Sequence, residues 1–221
     1  IFISFICIST KFTNKFVDFV FDLHYLCTMR VLIVNTSEQT GGAAVAANRL
    51  MRALDNHGVK VKMLVRDKET DNINVVGLKN TIFQKWHFLW ERLVVYFYLH
   101  FSIKNLFQID IANSGADITR LKEFKEADVI HLHWINQGML SLKSIRKILA
   151  SGKPVVWTMH DIWPATAICH LTLGCNRFKS RCGNCRLLPG KGSADDLSAK
   201  VWRKKERLYN DGDISFVTCS K

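Results

Sequence analysis

The chain has 221 residues, 48% of them hydrophobic, with 31 Lys and Arg against 19 Asp and Glu. That length and hydrophobic content support one well-packed core and exclude an intrinsically disordered chain. The net charge of +12 suits anionic partners, but there is no long Lys/Arg block and no helix-turn-helix or RNA-binding signature. A generally basic surface is the first reading and a membrane-facing basic surface the second; no nucleic acid is expected.

Ile1 to Thr28 is rich in aromatic residues, but Lys11, Asn14, Lys15 and Asp18 interrupt its apolar runs. It makes a poor signal peptide and is too broken for a transmembrane helix, which needs about 20 apolar residues. It reads as an upstream leader outside the fold, with the domain spanning 29–221. Val31 to Val34 is a short continuous apolar run, the pattern of a strand buried on both faces of a parallel sheet. Gly41 and Gly42 follow, then a helix carrying Val45, Leu50, Met51 and Leu54 that stops near Asn56-His57-Gly58. A second strand is expected over Val59–Val65. Strand, glycine turn, helix and strand form the first unit of a doubly wound α/β domain. Paired glycines let a backbone approach a ligand, and free N–H groups at a helix start attract phosphate. No G-x-G-x-x-G or P-loop accompanies them, so a tight turn without a ligand stays equally open.

Arg66 to Asp71 reads as a loop and Ile73 to Gly77 as a short strand. Trp86 to Leu106 fits a helix whose charges argue against crossing a bilayer. Burial within the domain is the preferred reading. The other is a helix lying in a membrane interface, anchored by Trp86, Trp90, Tyr96 and Tyr98. A helix over Asp117–Glu126 leads to a strand ending in His131, Leu132, His133 and Trp134. The two histidines share a face because strand side chains alternate. A helix over Leu140–Ser151 stops at Gly152-Lys153-Pro154, and a buried strand from Val155 runs into His160 and Asp161. Strand carboxyl ends are where open α/β sheets bind ligands, and a histidine beside a carboxylate can orient or deprotonate a hydroxyl.

Cys169, Cys175, Cys182 and Cys185 fall within 17 residues, out of 7 cysteines in the chain. The C-x2-C pair with Gly183 is a typical thiolate chelate, and the other two would complete a tetrahedral site. Zinc is the first reading, an iron–sulfur cluster the second and two disulfides the third. Arg177, Lys179 and Arg181 are expected to lower the thiol pKa values, and Cys219 stands apart from the cluster. Ala194 to Asn210 reads as a basic amphipathic helix with Lys200, Arg203, Lys204, Lys205 and Arg207 exposed, followed by a last strand from Asp213.

Together, GGAAVAANRL, ADVIHLHWIN, KPVVWTMHDIWPATAICH, GCNRFKSRCGNC and FVTCSK resemble the amino-terminal domain of GT-B glycosyltransferases of family 4. More narrowly, they resemble a bacterial subgroup with a W-T-x-H-D-x-W-P segment followed by a cysteine cluster. The resemblance covers Met29 to Lys221 and departs from the subgroup at Ala167-Ile168, where small Thr-Gly-Gly-like residues are usual. It implies a Rossmann-like doubly wound parallel sheet, the acceptor-side half of a two-domain enzyme, with a cysteine-rich insertion over 165–190. The implied activity is sugar transfer from a nucleotide-sugar donor to a glycan or lipid-linked acceptor in cell-surface polysaccharide synthesis.

The resemblance further implies a cytoplasmic address, with peripheral contact at the inner membrane face as an extension. Gly41 and Gly42 would face the donor diphosphate. His160, with Asp161 beside it, would line the reaction centre, and His131, His133 and Trp134 would contact the acceptor. Cys169, Cys175, Cys182 and Cys185 would hold a structural zinc. The donor-binding domain is not in this sequence, so little transfer is expected from the chain by itself. The competing readings are a zinc-stabilised α/β binding module without enzymatic activity and a nucleic-acid binder built on a zinc knuckle.

Overall fold

A computed structural model describes residues 29–79, 81–190 and 193–219. The expected leader, Ile1 to Thr28, lies outside the described residues.

Among the described residues, six strands form one all-parallel sheet in the order β3-β2-β1-β4-β5-β6. They are β1 (Arg30–Ser37), β2 (Lys60–Asp67), β3 (Val75–Gly77), β4 (Val129–Leu132), β5 (Val155–Met159) and β6 (Ile214–Thr218). This is the doubly wound α/β order, in which the chain reverses its direction of travel between β1 and β4. The helices are α1 (Gly42–Asn56), α2 (Thr81–Tyr98), α3 (Lys122–Glu126), α4 (Leu142–Leu149) and α5 (Leu197–Asn210).

The apolar run of β1 is buried on both sides. Val31 and Ile33 pack with Ala47 and Met51 of α1, while Leu32 and Val34 join a cluster with Ile145 and Ile148 of α4. A third cluster lies off the sheet, where Val95 and Leu99 meet Ile109, Ile168, Leu197 and Val201. Ala167 and Ile168 are both buried in it.

Four expectations need correction. β2 extends through Arg66 and Asp67, which were read as loop. The helix expected from Asp117 begins only at Lys122, because the Asp117 side chain accepts hydrogen bonds from Thr119 N (3.2 Å) and Oγ1 (2.6 Å), forming a local turn that competes with helix. Lys205 is not exposed: its ammonium donates to the carbonyls of Trp163 (2.6 Å) and Thr166 (3.0 Å), 3.2 Å from the centre of the Trp163 ring. Burial pushes its pKa down to about 7.

The fourth correction concerns α2, which is inside out. Glu91 and Arg92 are buried beside Val95, while Lys85 and most of the large apolar side chains face outward. Glu91 Oε1 accepts from Ile111 N (3.0 Å) and Ala112 N (2.6 Å); Arg92 Nη1 donates to the carbonyls of Leu106 (2.5 Å) and Ile109 (2.9 Å). Polar bonds to the irregular 105–112 segment, together with the packing of Val95, therefore hold the helix down, and its outer apolar stripe is left free. At Gly138, in the loop after β4, φ is +80° and an added Cβ would stand 2.6 Å from Phe88 N; only glycine allows this approach to α2.

Candidate functional site at the carboxyl edge of the sheet

Because every strand is parallel, the segments after β1, β4, β5 and β6 emerge on one edge. Adjacent strands are spaced about 4.8 Å apart, so β1 and β5, with β4 between them, are roughly 10 Å apart. Backbone and side-chain bonds fix the edge at the β1/β4 crevice. Thr36 N donates to the Trp134 carbonyl (2.8 Å), Trp134 N donates to Asn35 Oδ1 (2.9 Å), and Thr36 Oγ1 donates to the Trp134 carbonyl (2.9 Å). Open α/β sheets bind ligands at such a reversal point.

Gly41 caps α1 with φ +90° and ψ 163°, without a side-chain cap, and the first turn of α1 holds no acidic residue. A Cβ at either Gly41 or Gly42 would meet nothing within 4 Å. The positive φ requires glycine at 41, whereas the open space at 42 leaves the helix start accessible. Glu38 braces the turn, accepting from Glu69 N (2.6 Å) and Thr70 N (2.9 Å).

Three imidazoles cluster at the ends of β4 and β5, with His133 stacked on His160 and His131 tilted against His133. His131 and His133 ring centres are 4.6 Å apart, and those of His133 and His160 are 5.0 Å apart. His133 Nδ1 lies 2.8 Å from His160 Nε2, His131 Nε2 lies 2.8 Å from Thr158 Oγ1, and His133 Nε2 is buried without a partner. Burial, reinforced by the neighbouring rings, pushes His131 down to about 4 and His133 down to about 2. Burial also lowers His160, against a smaller opposing pull from Asp161. All three rings are therefore neutral near pH 7. Such a cluster can donate and accept hydrogen bonds without adding positive charge.

Asp161 does not orient His160 by a hydrogen bond. Its Oδ2 accepts from His170 Nδ1 (2.7 Å) and Trp134 Nε1 (2.9 Å), and its Oδ1 accepts from Trp163 N (2.8 Å). Burial raises its pKa, but these bonds and the His170 ring outweigh that and hold it below the usual carboxylate range. His170, absent from the expected site, thus enters it through Asp161. Cys219 enters as well, with its Sγ 3.6 Å from His160 Nδ1. Only the parallel order of β5 and β6 brings those two residues together.

Cys169, Cys175, Cys182 and Cys185 all line one cavity of about 30 Å³. All four are unpaired, and among the described residues no three His, Cys, Asp or Glu side chains converge closely enough to hold a metal ion. The expected pKa lowering is reversed. Burial, reinforced by the neighbouring thiols, raises Cys169 and Cys185 and pushes Cys182 up to about 11. Asp196 joins this segment to α5: one carboxylate oxygen accepts from Cys185 N (2.7 Å), the other from Ala199 N (3.0 Å).

An all-parallel doubly wound sheet with an open glycine turn and an imidazole cluster at its carboxyl edge is a Rossmann-like α/β architecture. The family model of Glycosyltransferase Family 4 matches residues 40–218, and the chain belongs to that family. Over 66 residues it is 36% identical to a protein of Escherichia coli (strain K12) provisionally named colanic acid biosynthesis glycosyl transferase WcaC. That stretch covers 27% of this chain and 16% of the relative. No solved structure matches the chain significantly.

Proposed function

We propose that this chain supplies the acceptor-side half of a sugar-transfer crevice. A sugar passes from a nucleotide-sugar donor to a glycan or lipid-linked acceptor in cell-surface polysaccharide synthesis, in the bacterial subgroup with the W-T-x-H-D-x-W-P segment. The observation that carries this reading is the cluster of His131, His133 and His160 at the same sheet edge as the Gly41-Gly42 turn. Gly41 and Gly42 offer backbone amides to the donor diphosphate, and His160 borders the reacting sugar. His131, His133 and Trp134 shape the acceptor side, with Asp161 setting Trp134 and His170. Rate enhancement comes from orientation in a closed cleft and from charge stabilisation of the diphosphate.

In this reading the donor is held by a second α/β domain, so residues 1–221 are expected to transfer little without one. Joining it to a donor-binding domain of the same family restores product formation from a nucleotide sugar. A joined enzyme that binds donor and acceptor yet forms no product overturns the reading.

The four thiols after β5 share one small cavity and their donor chemistry suits a structural metal, but no three of them stand at ligand spacing, so binding would require the segment to draw in around the ion. Cys169, Cys175, Cys182 and Cys185 would hold zinc, and with four protein ligands it would brace the segment after His160 and have no open position for water. Elemental analysis of the purified chain is expected to find about one zinc per chain, and Cys182→Ser is expected to abolish retention. Four freely titrating thiols without stoichiometric metal contradict this. Iron with visible absorbance would assign a cluster instead.

A further inference from the structure

We infer that the outward face of α2 rests in the headgroup region of an anionic phospholipid bilayer. Ile82, Trp86, Leu89, Trp90, Leu93 and Phe97 recur at three- and four-residue intervals and form one exposed stripe along the helix. Their exposure is large for their size: 80% for Ile82, 59% for Trp86 and 52% for Phe97. The stripe continues past the helix through Phe101 and Ile103. Trp86 and Trp90 stack with ring centres 6.4 Å apart. Single exposed apolar residues need no explanation, but a continuous stripe marks an interaction surface.

The charges around the stripe select the occupant. Lys79, Lys85, His100 and Lys104 are exposed on and beside α2. From Lys79 to Ile109 the only acidic residue is Glu91, and it is turned into the core. An apolar face with indole rings and a purely basic border matches an anionic lipid surface. A second copy docked on this face would bring like charges together. The helix lies on the bilayer and does not cross it: among the described residues no helix is long and apolar enough to span a membrane.

Geometry links this face to the crevice. The inner side of α2 touches Gly138, in the loop that leaves β4 beyond His133, and His87 Nδ1 lies 2.7 Å from Ser114 Oγ. Bilayer contact rests on the face alone. The further step, that a lipid-linked acceptor reaches the imidazole cluster from that bilayer, rests on the transferase reading.

Flotation of the full chain with phosphatidylglycerol vesicles, without donor or acceptor, tests the contact. The chain is expected to float with these vesicles, to release as salt rises, and to bind phosphatidylcholine vesicles poorly. Trp86→Glu with Leu93→Glu is expected to lower partitioning by about tenfold or more. The substitutions are exposed, so the melting temperature should hold, and in the joined enzyme so should transfer to a water-soluble acceptor. Equal flotation of the variant overturns the inference. So does self-association without vesicles that the variant loses, or flotation that appears only after residues 1–28 are removed. Flotation without transfer to any acceptor would leave the bilayer contact standing and sink the transferase reading.

Discussion

His160→Ala is expected to lower sugar transfer by about a hundredfold or more in the enzyme completed by a donor-binding domain. The ring is half-buried at the end of β5, with one nitrogen against His133 and the other near Cys219. Its loss frees one hydrogen-bond partner of His133, worth about 1 kcal/mol, so the fold should survive. The activity loss is then chemical and not structural. Circular dichroism and product formation, measured side by side, separate the two.

The protonation of the cluster gives the same account a pH signature. Native His131 and His133 bind fewer protons than in the unfolded chain, because their pKa values are depressed to about 4 and about 2 from 6.5. The contribution of these two histidines to stability is therefore full above about pH 6.5 and is lost as pH drops through the native value of His131. Asp161 acts through Trp134 and His170, so Asp161→Asn should raise the acceptor KM more than it lowers kcat.

Arg92→Leu carries the largest expected cost in stability, about 3–5 kcal/mol, or a fall in melting temperature of roughly 10 °C. Arg92 Nη2 lies 3.7 Å from both Glu91 Oε2 and Asp110 Oδ2, and both carboxyl side chains are completely buried. Asp110 also accepts from Ala112 N (3.0 Å) and Gln137 N (2.8 Å), while Asp110 N donates to the Ile168 carbonyl (2.8 Å). Removing the guanidinium leaves an unpaired charge where α2, the 105–112 segment and the loop after β4 meet.

Burial, aided by Asp110, raises Glu91 to about 9, while hydrogen bonds and Arg92 keep Asp110 below the usual carboxylate range despite burial. The pair therefore shares one proton at neutral pH. Native Glu91 keeps a proton that the unfolded chain releases above about pH 4.5, so stability falls as pH rises from there through about 9. Glu91→Gln, which mimics the protonated form, should flatten that slope and raise the melting temperature at pH 8. Thermal melts between pH 5 and pH 9 check both variants.

Local pattern was enough to read the strands and the glycine turn. The unbroken apolar run of Val31 to Val34 marked a strand covered on both faces, and the β4 and β5 sequences placed histidines at strand ends. What escaped was set by contacts distant in sequence. His170 meets Asp161 only after the chain doubles back, and Cys219 meets His160 only when β6 pairs beside β5. Lys205 had a local signal: it continues the buried stripe of Leu197 and Val201 at four-residue intervals, but the bias of lysine toward water hid it. For α2, residue types could not show which side faced inward. Glu91 and Arg92 turn inward because the 105–112 backbone and Asp110 supply the partners that make their burial tolerable.

The central claim is that the three clustered imidazoles form the acceptor wall of the crevice. Nitrogen-15 NMR of the imidazoles, with the full chain titrated with oligosaccharide fragments of bacterial surface polysaccharide, tests it most directly. His131, His133 and His160 should shift together and saturate, while exposed His57 at the far end of α1 stays unmoved. Saturating sugar binding that leaves those three signals in place would contradict the account.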